Sequence, residues 1–288
     1  MAGNGRTALL FPGQGSQTPD MREQVERHRL DLLELAAAEV GDDLFERADE
    51  GTRWAQPAIF CAALAGFDVL RDRVEPDLMA GHSLGEIAAL AAADALTAED
   101  GLRLVAARGR LMQEAAQSGH GGMMAVRARD RAPVERIAQE CRLTVANDNA
   151  PDQLVLSGTD EALAAGEERL REAGVRAKRL PVAGAFHSPL MQAAVEPFRA
   201  LVMETEVRNP RLPVMSCVTA EPFDDVRERL VQAITSPVRW LDVMRALEHR
   251  GATRFVETGP GRVLAGLVRK SLDGVEADAP LSMEAARA

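Results

Sequence analysis

The sequence predicts an α/β fold, in which a parallel sheet carries a smaller inserted subdomain. Short apolar runs alternate with segments of helical composition along most of the chain. Three of those runs end in glycine-rich loops, whereas the middle of the chain follows a different order of strands and helices. With 288 residues, of which 46% are hydrophobic, the chain is long enough to bury a substantial core.

The parallel sheet is predicted from three strands that are each followed by a glycine-rich loop. The strands are the runs 7–11, 77–80 and 254–257, and the loops are 12–17, 81–85 and 258–261. Segments 29–40 and 56–73 have helical composition. Because the carboxyl ends of parallel strands meet at one edge of a sheet, we expect the three loops to gather there and to form a site.

The middle of the chain predicts the inserted subdomain. Its elements are a strand at 121–126, a helix near 130–141, strands at 143–146 and 153–158 joined by a turn at 147–152, a helix at 160–173 and a strand at 177–182. This βαββαβ order is that of a ferredoxin-like split unit. The predicted division is a large α/β subdomain at 1–121 and 185–288, interrupted by the small subdomain at 122–184. Residues from Asp273 onward lack periodicity and are expected to fray.

Composition excludes several classes of function. The net charge of −10 is opposite to that of a general nucleic-acid binder. Three cysteines, Cys61, Cys141 and Cys217, form no C-x-x-C pair, so neither a metal site nor a disulfide framework is indicated. No signal-peptide pattern and no apolar run of about 20 residues occurs. The sequence therefore predicts a cytoplasmic protein without a nucleic-acid or membrane partner.

The segment 81–85, GHSLG, matches the G-x-S-x-G nucleophile elbow. A strand is predicted before it and an alanine-rich helix after it, which is the context that the motif requires. Ser83 is then exposed on a tight turn and faces the positive end of a helix. The alternative is a glycine-rich turn with an incidental serine.

A serine nucleophile needs a base, and His187 is the candidate. It follows the last strand of the insert among small and apolar neighbours, where a cleft between the subdomains is expected to face Ser83. The alternative is a histidine satisfied within the core. The other histidines lie in charged helical stretches, in a glycine loop or beside the serine itself: His28, His249, His120 and His82.

Two further groups are predicted around Ser83. The N–H of Leu84 and the loop residue Gln14 are the expected donors of an oxyanion hole, although the loop by itself is equally consistent with a plain turn. Arg108 lies in the middle of the apolar arc of helix 102–112, whereas Arg103 and Arg110 lie on the opposite face. A buried guanidinium needs an anion, which is either an internal carboxylate or the carboxylate of a substrate.

Five motifs together resemble the acyltransferase family of fatty acid and polyketide synthesis, which includes malonyl-CoA:acyl carrier protein transacylases. They are FPGQGSQ at 11–17, GHSLGE at 81–86, RGRLMQ at 108–113, GAFHS at 184–188 and ETGPG at 257–261. The motifs span nearly the whole chain in the family order. The resemblance implies an α/β-hydrolase-like large domain with a ferredoxin-like insert.

The resemblance also implies roles for individual residues. Ser83 is the implied nucleophile, His187 the base, and Gln14 with the Leu84 N–H the oxyanion hole. Main-chain carbonyls in the stretch that matches SPVRW at 236–240 would orient the histidine; some members of the family carry glutamine where this chain has Arg239. The implied substrate-binding residues, which hold the malonyl carboxylate or line the acyl pocket, are Arg108, Phe186 and Met112. A phenylalanine before the histidine accompanies malonyl units in this family.

The implied reaction transfers a malonyl group from malonyl-CoA to the phosphopantetheine thiol of an acyl carrier protein through a malonyl-serine ester. No cofactor or metal is required, and a monomer is expected. Two basic clusters are candidates for the carrier-protein surface: Arg176, Lys178 and Arg179, and Arg262, Arg269 and Lys270. The alternatives are a serine hydrolase or thioesterase, with an acid such as Asp160, and a non-catalytic module that binds carrier proteins.

Overall fold

The structure is a computed structural model that describes residues 5–182 and 184–281. Helices and strands are numbered along the whole chain. One sheet is parallel and consists of β1 (Arg6–Phe11), β2 (Leu78–Gly81), β7 (Val214–Met215), β8 (Ala252–Glu257) and β9 (Glu276–Asp278). The strand order is β7-β2-β1-β8-β9. The predicted mixed α/β fold with a parallel sheet is confirmed.

Helices cover both faces of this sheet. They are α1 (Met21–His28), α2 (Leu30–Glu39), α3 (Thr52–Leu70), α4 (Gly85–Ala92), α5 (Ala98–Ser118), α8 (Gln192–Glu204), α9 (Val226–Gln232), α10 (Trp240–His249) and α11 (Val263–Ser271), with a short 3₁₀ turn at Pro189–Met191. Within the described ranges, no helix combines the length and apolarity needed to cross a bilayer.

The second part of strand β1, residues 8–11, is an unbroken apolar run, and the structure shows why. Leu9 and Phe11 belong to the core that contains α1 to α5 and α8, whereas Ala8 and Leu10 belong to the core beneath α10 and α11. Successive side chains of a strand point to opposite faces, so a strand covered on both sides is apolar at every position. Burial on both faces therefore fixes β1 at the centre of the molecule.

The second sheet is antiparallel and comes from the middle of the chain. Its strands are β3 (Gly121–Arg127), β4 (Thr144–Ala150), β5 (Gln153–Thr159) and β6 (Arg176–Arg179), in the order β4-β5-β3-β6. Two helices, α6 (Ala132–Glu140) and α7 (Asp160–Glu172), pack on one face through Met124 and Leu156. Met123 and Val155 point the other way and join the core of the large domain.

Two local expectations are wrong. The chain after Asp273 does not fray throughout, because residues 276–278 form β9, in parallel register with β8; residues 282–288 lie outside the described residues. The turn predicted at 147–152 is shorter, because β4 continues to Ala150. Two register shifts in β4 and a β-bridge from Asn147 to Val238 accommodate this polar segment within the strand. Sequence periodicity gave no sign of either pairing.

Candidate active site

The three glycine-rich loops gather at the carboxyl edge of the parallel sheet, as predicted. Strands β2, β1 and β8 are neighbours, so their loops leave the sheet side by side. The backbones of these loops lie so close together that some positions require glycine. A Cβ on Gly13 would lie 2.5 Å from the His82 carbonyl oxygen, and one on Gly261 would lie 3.0 Å from that of Ser16.

Ser83 lies on a strained turn between β2 and α4. Its φ of 55° is in the left-handed region, which a residue other than glycine adopts only when the surrounding structure enforces it. Both flanking glycines are sterically required. A Cβ on Gly81 would lie 1.9 Å from the Gly85 backbone, and one on Gly85 would lie 2.2 Å from the Phe11 carbonyl oxygen. The sequence therefore fixes an elbow that presents the serine hydroxyl.

Two side chains from distant parts of the chain contact the Ser83 hydroxyl. His187 Nε2 lies 2.8 Å from Ser83 Oγ, and Arg108 Nη2 donates to the same oxygen at 3.1 Å. His187 follows the small sheet, and Arg108 lies in the middle of α5. The structure thus brings together the three side chains that the sequence singled out.

Main-chain carbonyls hold the His187 ring. Its Nδ1 lies 3.0 Å from the Ala233 oxygen and 3.1 Å from the Ser236 oxygen. A carbonyl only accepts, so Nδ1 carries the proton and Nε2 is left as an acceptor for the Ser83 hydroxyl. Burial, followed by the charges of Arg108 and His82, lowers the pKa of His187 to about 3. The ring is therefore neutral at physiological pH.

Arg108 is a buried cation that points into the site. It is 3% exposed, whereas Arg103 and Arg110 on the other face of α5 are exposed, as predicted. Its Nη1 donates to Gln56 Oε1 at 2.8 Å, and it makes no ion pair within 4 Å in the described part of the chain. The nearby Glu86 only partly offsets the burial that lowers the Arg108 pKa to about 10. An internal carboxylate does not neutralise Arg108 directly.

The remaining predicted residues line one cleft between the two sheets. The cleft has a volume of about 710 Å³, and Ser83, His187 and Arg108 open into it. Gln14, Leu84, Met112 and Phe186 are all part of its wall. The structure therefore places every predicted site residue around one space.

The other four histidines are not placed to act as the base, as the sequence predicts. His28, His120 and His249 are exposed. His82 turns away from Ser83: its Nε2 lies 2.9 Å from Asn149 Oδ1, and its ring packs edge-on against Trp240. The Arg239 side chain also points elsewhere, since it binds Asp242 and the Thr219 carbonyl.

Sequence reasoning missed several residues that support the site. Gln56 binds both Arg108 and Thr52 from within α3, and Asn149 reaches His82 from the small sheet. Neither residue belongs to a motif, so no local signal marks it. Glu86 belongs to the GHSLGE motif, but sequence reasoning gives it no role. It is the charged residue of an otherwise apolar helix, and it is 1% exposed.

The geometry is suited to acyl transfer through a serine. A neutral imidazole at hydrogen-bond distance can accept the hydroxyl proton as the oxygen attacks a carbonyl. Leu84, at the start of α4, and Gln14 line the same cleft as Ser83. Arg108 adds a cation within 3.1 Å of that oxygen, which suits an acyl group with a negative charge.

Comparison with known proteins agrees with this chemistry. Residues 9–283 match the acyl transferase domain model. The chain is 40% identical over 280 residues to the polyketide biosynthesis protein ThaF of Burkholderia thailandensis, which covers 92% of this chain and 24% of that protein. It is 35% identical over 285 residues to the malonyl CoA-acyl carrier protein transacylase of Bacillus subtilis, which covers 92% of this chain and 90% of that protein.

Solved structures give the same result. A malonyl-CoA:acyl carrier protein transacylase from Xanthomonas oryzae has a TM-score of 0.90 at 34% identity and covers 98% of each chain. A malonyl-transacylase solved in complex with its type II polyketide synthase acyl-carrier protein has a TM-score of 0.89 at 30% identity, covering 97% of this chain and 98% of that one. The chain belongs to the acyl transferase family that includes the malonyl CoA-acyl carrier protein transacylases.

Proposed function

We propose that the protein transfers a malonyl group from malonyl-CoA to the phosphopantetheine thiol of an acyl carrier protein, through an ester on Ser83. The observation that carries the proposal is the pair of contacts on one oxygen. Ser83 Oγ lies 2.8 Å from a neutral base and 3.1 Å from a buried guanidinium without an ion-pair partner in the residues described. Fatty acid and polyketide synthesis both use such a transfer.

In the first half-reaction, Ser83 Oγ attacks the thioester carbonyl while His187 Nε2 takes its proton. The developing oxyanion is bound by the Leu84 N–H and Gln14, and the C–S bond then breaks. The proton on His187 passes to the departing thiolate, so free coenzyme A leaves and the malonyl-serine ester remains. Arg108 pairs with the free malonyl carboxylate, which restores the anion that a buried guanidinium needs.

In the second half-reaction, the phosphopantetheine thiol of the carrier protein attacks the ester. His187 Nε2 takes the thiol proton and returns it to Ser83 Oγ as the ester bond breaks. The malonyl group leaves as a thioester of the carrier protein, and the resting state is regenerated. The chain's own residues account for each proton in both steps.

A serine hydrolase is the competing proposal, with water in place of the thiol. Such an enzyme would orient His187 with an acid, for which Asp160 is the sequence candidate. In the structure Asp160 starts α7 with an exposed side chain beside Arg179, whereas His187 Nδ1 faces two carbonyls. The inward Arg108 also has no purpose in a general esterase. Both observations favour transfer.

Mass spectrometry of the intact protein after mixing with malonyl-CoA tests the proposal. We expect a persistent malonyl adduct on Ser83 that disappears when a phosphopantetheinylated carrier protein is added and reappears on that carrier. The Ser83→Ala variant is expected to form no adduct and to transfer nothing. Release of free malonate without a carrier would support the hydrolase, and transfer at wild-type rates by Ser83→Ala would contradict the proposed nucleophile.

We also propose that the acidic carrier protein docks on a basic stripe formed by Arg127, Arg176 and Lys178. Strand pairing places Arg127 opposite Arg176 and Ala125 opposite Lys178, so all four side chains share one face of the small sheet. Ala125 lines the cleft, which makes the stripe continuous with the active site. All three cations are exposed and form no ion pair within 4 Å among residues 5–182 and 184–281.

The other predicted basic residues are less available. Arg179 pairs with Glu167, and Lys270 pairs with Asp152 at 2.8 Å. Arg269 donates to the Ala277 carbonyl. Charge complementarity with an acidic partner therefore favours the stripe over the cluster that contains Arg262, Arg269 and Lys270.

Several finer assignments remain part of the proposal. The α/β-hydrolase-like designation, the monomeric state and the absence of any cofactor rest on the family resemblance. The ferredoxin-like designation, the subdomain bounds 1–121, 122–184 and 185–288 and the cytoplasmic location rest on sequence patterns. The βαββαβ order of the second sheet supports the ferredoxin-like designation. Light scattering of the purified protein tests the monomer.

A further inference from the structure

Glu86 is a buried carboxylate that the acyl transfer described above does not use. It lies in the first turn of α4, three residues after Ser83, and is 1% exposed. It forms no ion pair within 4 Å in the part of the chain that the structure describes. Burying a carboxylate is unfavourable unless hydrogen bonds compensate, so the contacts of this group indicate what it does.

Those contacts lead to Cys217, which follows β7. Glu86 Oε1 accepts a hydrogen bond from the Cys217 N–H at 2.7 Å. The Cys217 thiol lies 3.1 Å from the Gly81 carbonyl oxygen, at the start of the nucleophile elbow. The Cys217 carbonyl accepts from the Arg239 N–H at 3.1 Å. One residue therefore connects the elbow to the segment that ends at Arg239.

That segment, residues 236–239, holds the base. The Ser236 carbonyl is one of the two acceptors for His187 Nδ1, at 3.1 Å. On its other side, Val238 exchanges main-chain hydrogen bonds of 2.9 Å with Ala146 and Asp148 of β4. The path Glu86–Cys217–Arg239–Ser236 thus runs from the elbow helix to the imidazole that faces Ser83.

We infer that Glu86 is a positioning residue, which fixes segment 236–239 through Cys217 and so sets the place of the His187 ring relative to Ser83. The inference rests on the proposed function only in taking Ser83 and His187 as the reacting pair. Both half-reactions use that pair, so removing the Glu86 carboxylate, which accepts from the Cys217 N–H, is expected to slow both. The Michaelis constant for malonyl-CoA is expected to change little, because Glu86 is not among the described residues that line the cleft.

A second role for Glu86 makes a different prediction. Its charge lies near Arg108, whose buried charge it partly offsets. If that were its main role, removing the charge would tighten or loosen malonyl binding without changing the rate of Ser83 chemistry. Glu86→Gln separates the two roles, since it removes the charge and retains an oxygen that accepts from Cys217.

The test measures two rates on Ser83 in Glu86→Ala and Glu86→Gln: malonylation by malonyl-CoA and labelling by a fluorophosphonate probe. We expect Glu86→Ala to slow both by about tenfold or more, with the malonyl-CoA Michaelis constant within about threefold of wild type. Glu86→Gln is expected to remain within about threefold in both rates. The probe reports on the reacting pair even if malonyl-CoA is not the substrate.

The matched control is Glu257, a second buried glutamate, which accepts from the Ala265 N–H of α11 at 2.8 Å. Among the residues that the structure describes, its side chain has no hydrogen bond to Cys217 or to segment 236–239. Glu257→Ala is expected to lower the melting temperature without slowing the probe. Equal losses in Glu86→Gln and Glu86→Ala, or a changed Michaelis constant with an unchanged labelling rate, would overturn the inference.

A second pair of variants tests the same path if Glu86→Ala fails to fold. Arg239→Pro removes the N–H that binds the Cys217 carbonyl, at a φ of −84° that proline tolerates, whereas Arg239→Ala retains it. Arg239→Pro is expected to label at least about fivefold more slowly than Arg239→Ala. Equal labelling rates in this pair would contradict the path.

Discussion

Arg108 sets the chemistry of the site at the scale of single residues. The burial of a guanidinium is tolerated here because Gln56 and Ser83 each accept one of its hydrogen bonds. Neither acceptor carries a charge, so the guanidinium is hydrogen-bonded but its charge is not neutralised. The proposed malonyl carboxylate would supply the missing anion.

Gln56→Glu is predicted to block that binding from within. The new carboxylate would stand 2.8 Å from Arg108 Nη1 and compete with the malonyl carboxylate. We expect kcat/KM for malonyl-CoA to fall by about tenfold or more, because a hydrogen bond becomes a charged pair. Acetyl transfer, which offers no carboxylate, is expected to change by no more than about threefold.

The control for Gln56→Glu is Gln117→Glu. Gln117 lines the same cleft from the exposed end of α5, so it adds the same charge without contacting Arg108. Equal losses in the two variants would show that general charge in the cleft, and not pairing with Arg108, is responsible.

The low pKa of His187 predicts an unusual pH dependence. Burial holds it near 3, so the base is neutral above that value and loses function only as pH falls towards it. We expect the rate of Ser83 malonylation, measured by rapid quench, to stay level from about pH 7 down to about pH 5.

Glu86 is the neighbouring group that titrates in this range, because burial raises its pKa to about 7. The groups around it are Arg108, Cys217 and Ser216. Glu86→Gln should therefore be measured in parallel and is expected to give the same level profile. A fall centred near pH 6.5 in both proteins would mean that His187 titrates as an ordinary histidine.

At the scale of elements, the elbow depends on close backbone contact between β1, β2 and α4. Gly85→Ala would place a Cβ 2.2 Å from the Phe11 carbonyl oxygen, with no flexible side chain to move aside. We expect a loss of about 1–3 kcal/mol in the free energy of unfolding and a large loss of Ser83 reactivity. Thermal and urea unfolding measure the first, and fluorophosphonate labelling measures the second.

Gly266→Ala is the matched control within a helix. Gly266 lies inside α11, and a Cβ there would meet nothing within 4 Å. Alanine is expected to stabilise the protein by about 0.5–1 kcal/mol and to leave activity unchanged. If both alanine variants unfolded alike, steric closure of the elbow would not be the reason for Gly85.

The sequence predicts best those features whose pattern lies within a short stretch of the chain. The elbow, the edge loops and the inward face of α5 follow from glycine spacing and helical periodicity, and each is found in the structure. The partners of those elements could not be predicted in the same way. Strand β9 pairs through its backbone with β8, and Gln56 meets Arg108 across 52 residues; neither contact leaves a local pattern.

At the scale of the whole molecule, two sheets with separate cores enclose the cleft. One side of the small sheet packs against α6 and α7 in its own core. The other side lines the cleft and contacts the core of the large domain. That division leaves the outer part of the cleft-facing side free to carry charge. The overall charge of −10 is therefore compatible with an acidic partner, because the basic stripe is local.

Reversing the charge of the stripe tests this arrangement. A triple variant, Arg127→Glu with Arg176→Glu and Lys178→Glu, is expected to raise the Michaelis constant for the carrier protein by about tenfold or more. The effect should shrink at high salt. Malonylation of Ser83 by malonyl-CoA should be unchanged.

The control is Arg262→Glu, which alters the other predicted cluster at an exposed position. A larger effect of Arg262→Glu on the carrier protein would move the docking surface to that cluster. Slower malonylation by malonyl-CoA in the triple variant would assign the stripe to the coenzyme A phosphates.

The measurement that bears most directly on the whole account is the ratio of malonyl to acetyl transfer in Arg108→Ala. We expect kcat/KM for malonyl-CoA to fall by about a hundredfold or more while acetyl transfer falls by less than about tenfold. Arg110→Ala, on the exposed face of the same helix, should leave both unchanged. If Arg108→Ala reduced malonyl and acetyl transfer equally, Arg108 would not bind the substrate carboxylate, and the assignment of the site would be wrong.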